Sequence, residues 1–158
     1  MQETEFLTLI RENQGIIYKL VGLYARTEEE KKDFSQEIIL QAWKGWPSFR
    51  REAKFSTWLY RISLNTLLTM QRKKKLIDYR EDLETIPWSS HPDEGNSEDA
   101  KRLYKAIRAL PETEKAMISL HLDGYANQEV SEIIGISENH VAVKLHRIKS
   151  FLKQQLSD

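Results

Sequence analysis

Cysteine is absent from all 158 residues. No disulfide can brace this fold and no thiolate can hold a metal, a composition that suits a reducing compartment. No apolar run approaches the ~20 residues of a membrane-spanning helix, so no membrane insertion is expected. The first ten residues carry Glu3 and Glu5 and lack a basic start. They do not read as a signal peptide, and a cytoplasmic location is expected. No strand pattern of useful length and no internal repeat is present. Nucleophile–base pairings, metal-ligand clusters and phosphate-cradling loops are also missing. His121, His140 and His146 lack ligand spacing, and His140 and His146 face different ways on a helix. The expectation is therefore a chain that is not an enzyme, with no catalytic residue, no metal and no cofactor.

Net charge is missing too: 24 basic side chains balance 24 acidic ones. That looks wrong for a polyanion binder until the charge is divided along the chain. Residues 1–75 hold 14 Lys/Arg against 9 Asp/Glu, and residues 101–158 hold 9 against 7. Between them, residues 76–100 hold Arg80 against 8 acids. Two basic blocks flank an acidic one. This asymmetry suits nucleic-acid contact by the ends, and equally two soluble domains with an acidic linker.

What the chain has in abundance is helical periodicity. Phe6, Leu9, Ile10, Ile16, Ile17, Leu20, Val21 and Tyr24 recur on one face of a first helix. Thr27 and Glu30 form a capping box for a second, whose apolar set is Phe34, Ile38, Ile39, Ala42 and Trp43. Trp46-Pro47-Ser48 ends it, because proline disfavours helical geometry in the residue before it. Ser56 is placed to cap a third helix to about Lys74. Residues 76–97 are rich in Asp, Glu, Pro, Ser, Gly and Asn and read as a flexible linker. Helix resumes near Ser97. Pro111 suits a helix's first turn and Gly124 its end. The fold class is all-α: two small helical domains, 1–75 and 98–158, joined by an acidic linker at 76–97.

Residues 125–148, YANQEVSEIIGISENHVAVKLHRI, describe a short helix capped by Asn127, a tight turn at Gly135-Ile136-Ser137, and a longer helix. Ser131 is small enough for the two helices to approach. Val130, Ile133, Ile134 and Ile136 are expected to share a core with Val141, Leu145, Ile148 and Leu152. At about 3.6 residues per turn, Asn139, Val143, His146, Arg147 and Ser150 fall on the opposite face. His140 and Lys144 flank it on one side, Lys149 and Lys153 on the other. A polar outer face with an arginine and flanking lysines suits a major groove. It is also what an ordinary solvated helix face looks like. The combination of small residue, turn glycine and apolar spacing favours a DNA-reading helix-turn-helix.

Two faces stand out nearer the N-terminus. Asp33, Gln36, Glu37 and Gln41 cluster at helical spacing on the second helix. On the third, Trp58, Arg61, Asn65, Thr69 and Arg72 form one stripe, opposite an apolar stripe of Leu59, Ile62, Thr66 and Met70. Aromatic, amide and basic groups on one face suit unstacked bases and their backbone. Trp43 reads as a core aromatic, and Trp58 as a border residue able to serve both core and ligand.

The segments Asp33-Phe-Ser-Gln36-Glu37, Phe55-Ser-Thr-Trp-Leu-Tyr-Arg-Ile62-Ser-Leu-Asn65 and Leu110-Pro111-Glu112, followed by the helix-turn-helix, together resemble the extracytoplasmic-function sigma factors. The resemblance covers nearly the whole chain. It implies a partner, core RNA polymerase, docked through Asp33, Gln36, Glu37 and Gln41. It implies minus-ten promoter contacts, single-stranded DNA included, by Phe49, Arg50, Lys54, Phe55, Ser56, Trp58, Arg61, Asn65, Thr69 and Arg72. The loop from Phe49 to Ser56 would capture a flipped base. Minus-thirty-five duplex would meet Asn139, His140, Val143, Lys144, His146, Arg147 and Lys149. The acidic linker is similar to family linkers that pass through the polymerase RNA exit channel. An anti-sigma partner and a monomeric free state are also implied. The chain departs from the family pattern at Ala142, where a basic residue is common, and at His140 and Val143, where threonine and a small hydroxyl are usual. It also has Arg51-Glu52 where a glycine-aspartate pair is common.

Two rival readings remain at this point. A stand-alone dimeric helix-turn-helix regulator would bind palindromic duplex without polymerase. An anti-sigma or adaptor protein would bind polymerase but leave the outer face of residues 138–153 without a role.

Overall fold

A computed structural model describes residues 2–78 and 97–157, which fall into two compact units. Among them every regular element is helical.

The first unit contains α1 (Gln2–Glu12), α2 (Gln14–Tyr24), α3 (Glu28–Gly45), a 3-10 turn (Trp46–Ser48) and α4 (Phe55–Asp78). The expected first helix is in fact two. Asn13 breaks it, because its side-chain amide donates to the Leu9 carbonyl at 2.8 Å and competes with the helical ladder. Apolar residues on both sides of the break, Phe6, Ile10, Ile17 and Leu20, still reach one core. Helix α3 begins as the capping box requires: Thr27 Oγ1 accepts from the Glu30 N–H at 3.0 Å. The Glu30 carboxylate accepts in return from Arg26, one residue before the cap, at 2.7 Å. Helices α2, α3 and α4 pack on one another, with α1 against α2.

Helix α4 corrects three expectations. It starts at Phe55, and the Lys54 carbonyl accepts its first helical bond from Trp58, so Ser56 lies in the first turn and is not the cap. It runs past Lys74 to Asp78, so residues 76–78 of the expected linker are helical. Its buried stripe is Leu59, Tyr60, Ser63, Leu64 and Leu67, with Thr66 at the margin. Ile62 and Met70 are only half-buried. The helix is thus turned relative to the expected stripe, because Tyr60, Leu64 and Leu67 bury more apolar area than Ile62 and Met70.

The second unit contains α5 (Glu98–Arg108), α6 (Glu112–Leu122), α7 (Asn127–Ile134) and α8 (Glu138–Ser157). Ser97 caps α5, its hydroxyl accepting from the Ala100 N–H at 3.0 Å. Arg102 on α5 donates to the Leu156 carbonyl at 3.0 Å and so closes the far end of α8. Pro111 sits just before α6, one position earlier than expected. Six consecutive residues of α6, Lys115 to Leu120, are buried, because α5, α7 and α8 all pack on it. Gly124, at φ 93°, ends α6: its N–H donates to His121, and that of Tyr125 reaches Leu120. This pairing satisfies carbonyls that the helix end would otherwise orphan. The acidic residues 79–96 lie outside the described residues.

Candidate nucleic-acid interface

The helix-turn-helix is built from α7 and α8. Gly135 takes φ 91°, a left-handed turn that glycine enters with little penalty. Ala126 rather than Asn127 precedes α7, and the Glu129 carboxylate accepts from its N–H at 3.0 Å. Ser137 caps α8, accepting from the His140 N–H at 3.1 Å. Ser131 does more than leave room. Its hydroxyl donates to the Ile136 carbonyl and ties the turn to α7. Val130, Ile133, Val141, Leu145, Ile148 and Leu152 are buried as expected, while Ile134 and Ile136 are half-buried.

With that stripe inward, Asn139, His140, Val143, His146, Arg147 and Lys149 are exposed, and Lys144 is half-buried. A shallow groove beside His146, Arg147 and Ser150 also exposes Phe151, which the sequence reading missed. Lys149 faces the other flank, where it lines a second groove with Leu103, Ile118, His121, Leu122 and Leu152. His121 is held below its ordinary pKa by burial there and by the Lys149 charge.

In the first unit, Arg61, Asn65, Thr69 and Arg72 are exposed on one face of α4. Trp58 is half-buried at the edge of that face. It joins an aromatic cluster beneath the 49–54 loop, with ring centroids 5.0 Å from Phe49, 5.4 Å from Phe55 and 6.2 Å from Trp46. Phe49 stacks on Trp46 at 5.6 Å. Phe55 is 9% exposed, so its ring supports the loop from below and does not face solvent. Arg50 and Lys54 are exposed, and Ser56 is half-buried. Arg51, where the resemblance anticipates glycine, sits at φ 60°. Its guanidinium pairs with Glu5 on α1 and lies 5.9 Å from the Trp46 ring centre.

On α3, Asp33 and Gln36 are exposed and Glu37 and Gln41 half-buried, with Gln41 donating to the Glu37 carboxylate at 2.7 Å. The structure adds apolar groups that the sequence reading put elsewhere or passed over. Ile39, Leu40 and Trp43 are 38%, 44% and 43% exposed. Trp43 is therefore not a core residue; it lies against Phe6 at 5.1 Å and shows one face to solvent. The sequence signal was Leu40, an apolar residue between Glu37 and Gln41 on a polar face.

Comparison with known proteins agrees with this organisation. Residues 9–77 match the family Sigma-70 region 2, and residues 100–152 match Sigma-70, region 4. The sigma factor SigW of Bacillus subtilis (strain 168) is 32% identical over 157 aligned residues, covering 90% of this chain and 83% of that protein. The chain belongs to the extracytoplasmic-function sigma factors. SigM of Mycobacterium tuberculosis (strain H37Rv) is 28% identical, covering 96% of this sigma factor and 76% of that one. Among solved structures, the sigma factor RpoE of Bartonella quintana, in complex with the anti-sigma factor NepR, superposes with a TM-score of 0.75. It is 19% identical, with 98% of this chain and 96% of that one covered, a likeness that shows the fold. As a sigma factor, this protein binds core RNA polymerase and promoter DNA and directs promoter-specific initiation. It is an initiation factor and not an enzyme; the polymerase makes the bonds. No described helix is long and apolar enough to cross a membrane.

Proposed function

We propose that this sigma factor acts in the cytoplasm and divides promoter recognition between its two units. Residues 1–75 dock on polymerase and open the minus-ten element, 76–97 link, and 98–158 read the minus-thirty-five element. The observation that carries the minus-ten assignment is the exposed Arg61–Asn65–Thr69–Arg72 face beside an aromatic-backed basic loop. Arg61, Arg72, Arg50 and Lys54 hold the strand backbone. Asn65 reads a base edge, with Thr69 beside it. A flipped base enters the loop at Phe49 and Ser56 and meets the rim of Trp58, which offsets an unstacking cost of a few kcal/mol. Phe55 contributes by holding the loop from beneath.

Asp33, Gln36, Glu37 and Gln41 form the polymerase-docking face, with Leu40 as its apolar centre. In the second unit Arg147 is the base-reading arginine, Val143 meets a thymine methyl, and Asn139 and His146 contact neighbouring edges. His140, Lys144 and Lys149 approach phosphates from the flanks. RpoE of Bartonella quintana was solved with the anti-sigma factor NepR, and another solved structure of like fold is CnrH in complex with the cytosolic domain of CnrY. An anti-sigma factor is the corresponding partner proposed here, and the free chain is a monomer.

Run-off transcription with core polymerase on a promoter library tests the assignment. Wild-type protein is expected to select a promoter set. Asn65→Ala is expected to lose discrimination at one minus-ten position by about 1–3 kcal/mol, the scale of a base contact. An unchanged minus-ten preference would remove Asn65 from the site.

A further inference from the structure

Arg51 has the one positive φ among described residues other than glycine. A left-handed backbone costs a side-chain-bearing residue, and such outliers gather where a particular loop shape is needed. Two contacts hold Arg51 there. Its guanidinium pairs with Glu5, a partner 46 residues earlier in the chain. The same guanidinium lies toward the ring of Trp46, itself buried and stacked on Phe49. Glu5 neighbours Phe6, whose ring meets Trp46 at 5.5 Å. One side chain thus ties α1, the 3-10 turn and the loop together.

That arrangement sets Arg51 apart from its basic neighbours. Arg50 and Lys54 are exposed. The charge of Arg51 is already opposed by a carboxylate, which weakens it as a phosphate ligand. We propose that Glu5 and Arg51 form an electrostatic latch that sets the bend of the 49–54 loop, so that Arg51 positions the loop for strand opening without itself contacting DNA. The inference rests on the reading of this loop as the base-capturing segment. The pair is exposed at both ends, with side chains 60% and 43% accessible. Its effect is therefore modest and adjustable, on the scale of a surface ion pair.

The test uses full-length protein assembled with core polymerase on a promoter fragment carrying 2-aminopurine in the non-template minus-ten strand. Fluorescence reports unstacking, and anisotropy on an unmelted duplex reports binding. Arg51→Glu and Glu5→Arg are each expected to slow the fluorescence rise by roughly two- to five-fold with duplex affinity unchanged. The double exchange, Glu5→Arg with Arg51→Glu, is expected to restore most of the rate. Arg51→Gly is expected to stay near wild type, because glycine takes the bend without a latch. Failure of the double exchange to restore the rate would overturn the proposal, and a parallel loss of duplex affinity in Arg51→Glu would make Arg51 a DNA ligand and overturn it too. Wild-type rates in all variants would overturn it as well. If the wild-type holoenzyme transcribed but gave no fluorescence rise at any minus-ten position, the base-capture reading itself would fall, and the latch's role in opening with it.

Discussion

Ser63 is fully buried on α4, and its hydroxyl has no hydrogen-bond partner among the described residues. A buried hydroxyl without a partner carries its desolvation cost uncompensated, and alanine is the better helix former. Ser63→Ala is therefore expected to stabilise the first unit by about 1 kcal/mol, seen as a higher urea midpoint with an unchanged slope. His121 makes the opposite kind of case. Its folded pKa lies below the ordinary value of 6.5, so the unfolded chain takes up a proton that the folded one resists. The stability contribution of neutral His121 is whole above pH 6.5 and is lost as pH falls through 6.5 toward the folded pKa. Chemical unfolding of the second unit, compared at pH ~5.5 and ~7.5, is expected to show that loss, and His121→Gln is expected to flatten it.

At the scale of an element, the recognition helix shows how a buried stripe dictates an exposed one. Val141, Leu145, Ile148 and Leu152 must face inward, so Arg147 and Val143 must face outward. Arginine and lysine on this helix should then fail differently. Arg147→Ala is expected to cost about 1–3 kcal/mol on the preferred promoter and to relax selectivity at one base pair. Lys144→Ala is expected to weaken all duplexes alike and to reduce the salt slope by about 1. Holoenzyme binding titrations at several salt concentrations separate the two. Equal salt slopes for the two variants would remove Lys144 from the phosphate contacts. Helices α6 and α4 carry the converse lesson. Helix α6 is enclosed on several sides, so no single apolar stripe announces its orientation, and Leu122 ends up 56% exposed. On α4 the expected stripe ran through Ile62 and Met70, and packing against α2 and α3 buried instead the one containing Tyr60 and Leu67.

For the whole molecule, the question is how a nearly neutral chain finds a polyanion. Its proposed recognition face holds few positive charges, so few counterions are released on binding and weak affinity is expected from that face alone. Attachment to polymerase supplies the missing term, because tethering turns the second contact into an intramolecular one. The proposed docking face on α3 is therefore expected to govern promoter binding as well as assembly. Glu37→Lys is expected to weaken holoenzyme formation at least about tenfold, or ~1.4 kcal/mol, while far-UV circular dichroism and unfolding midpoint stay close to wild type. Retained assembly would move the docking face elsewhere. A folded protein that assembles poorly and transcribes poorly fits a site on the surface of α3, where Glu37 reaches solvent beside Leu40.

The sequence by itself determined the all-helical fold class, the glycine turn of the helix-turn-helix, its polar outer face, and the exposed Arg61–Asn65–Thr69–Arg72 stripe. Each of these follows from local rules: apolar spacing, capping chemistry and the conformational freedom of glycine. Asn13 divides one amphipathic pattern into two helices through a local bond, its side-chain amide competing for a carbonyl four residues back that apolar spacing ignores. Tertiary structure decided the rest. Trp43 turns outward while Trp46 and Phe55 turn inward, a choice made by which rings fit beside Phe6 and Phe49. The pairing of Glu5 with Arg51 joins residues 46 apart, and no local rule reaches that far. Spacing along the chain tells which residues share a face, but only packing tells which face is covered and which distant charge comes to meet it.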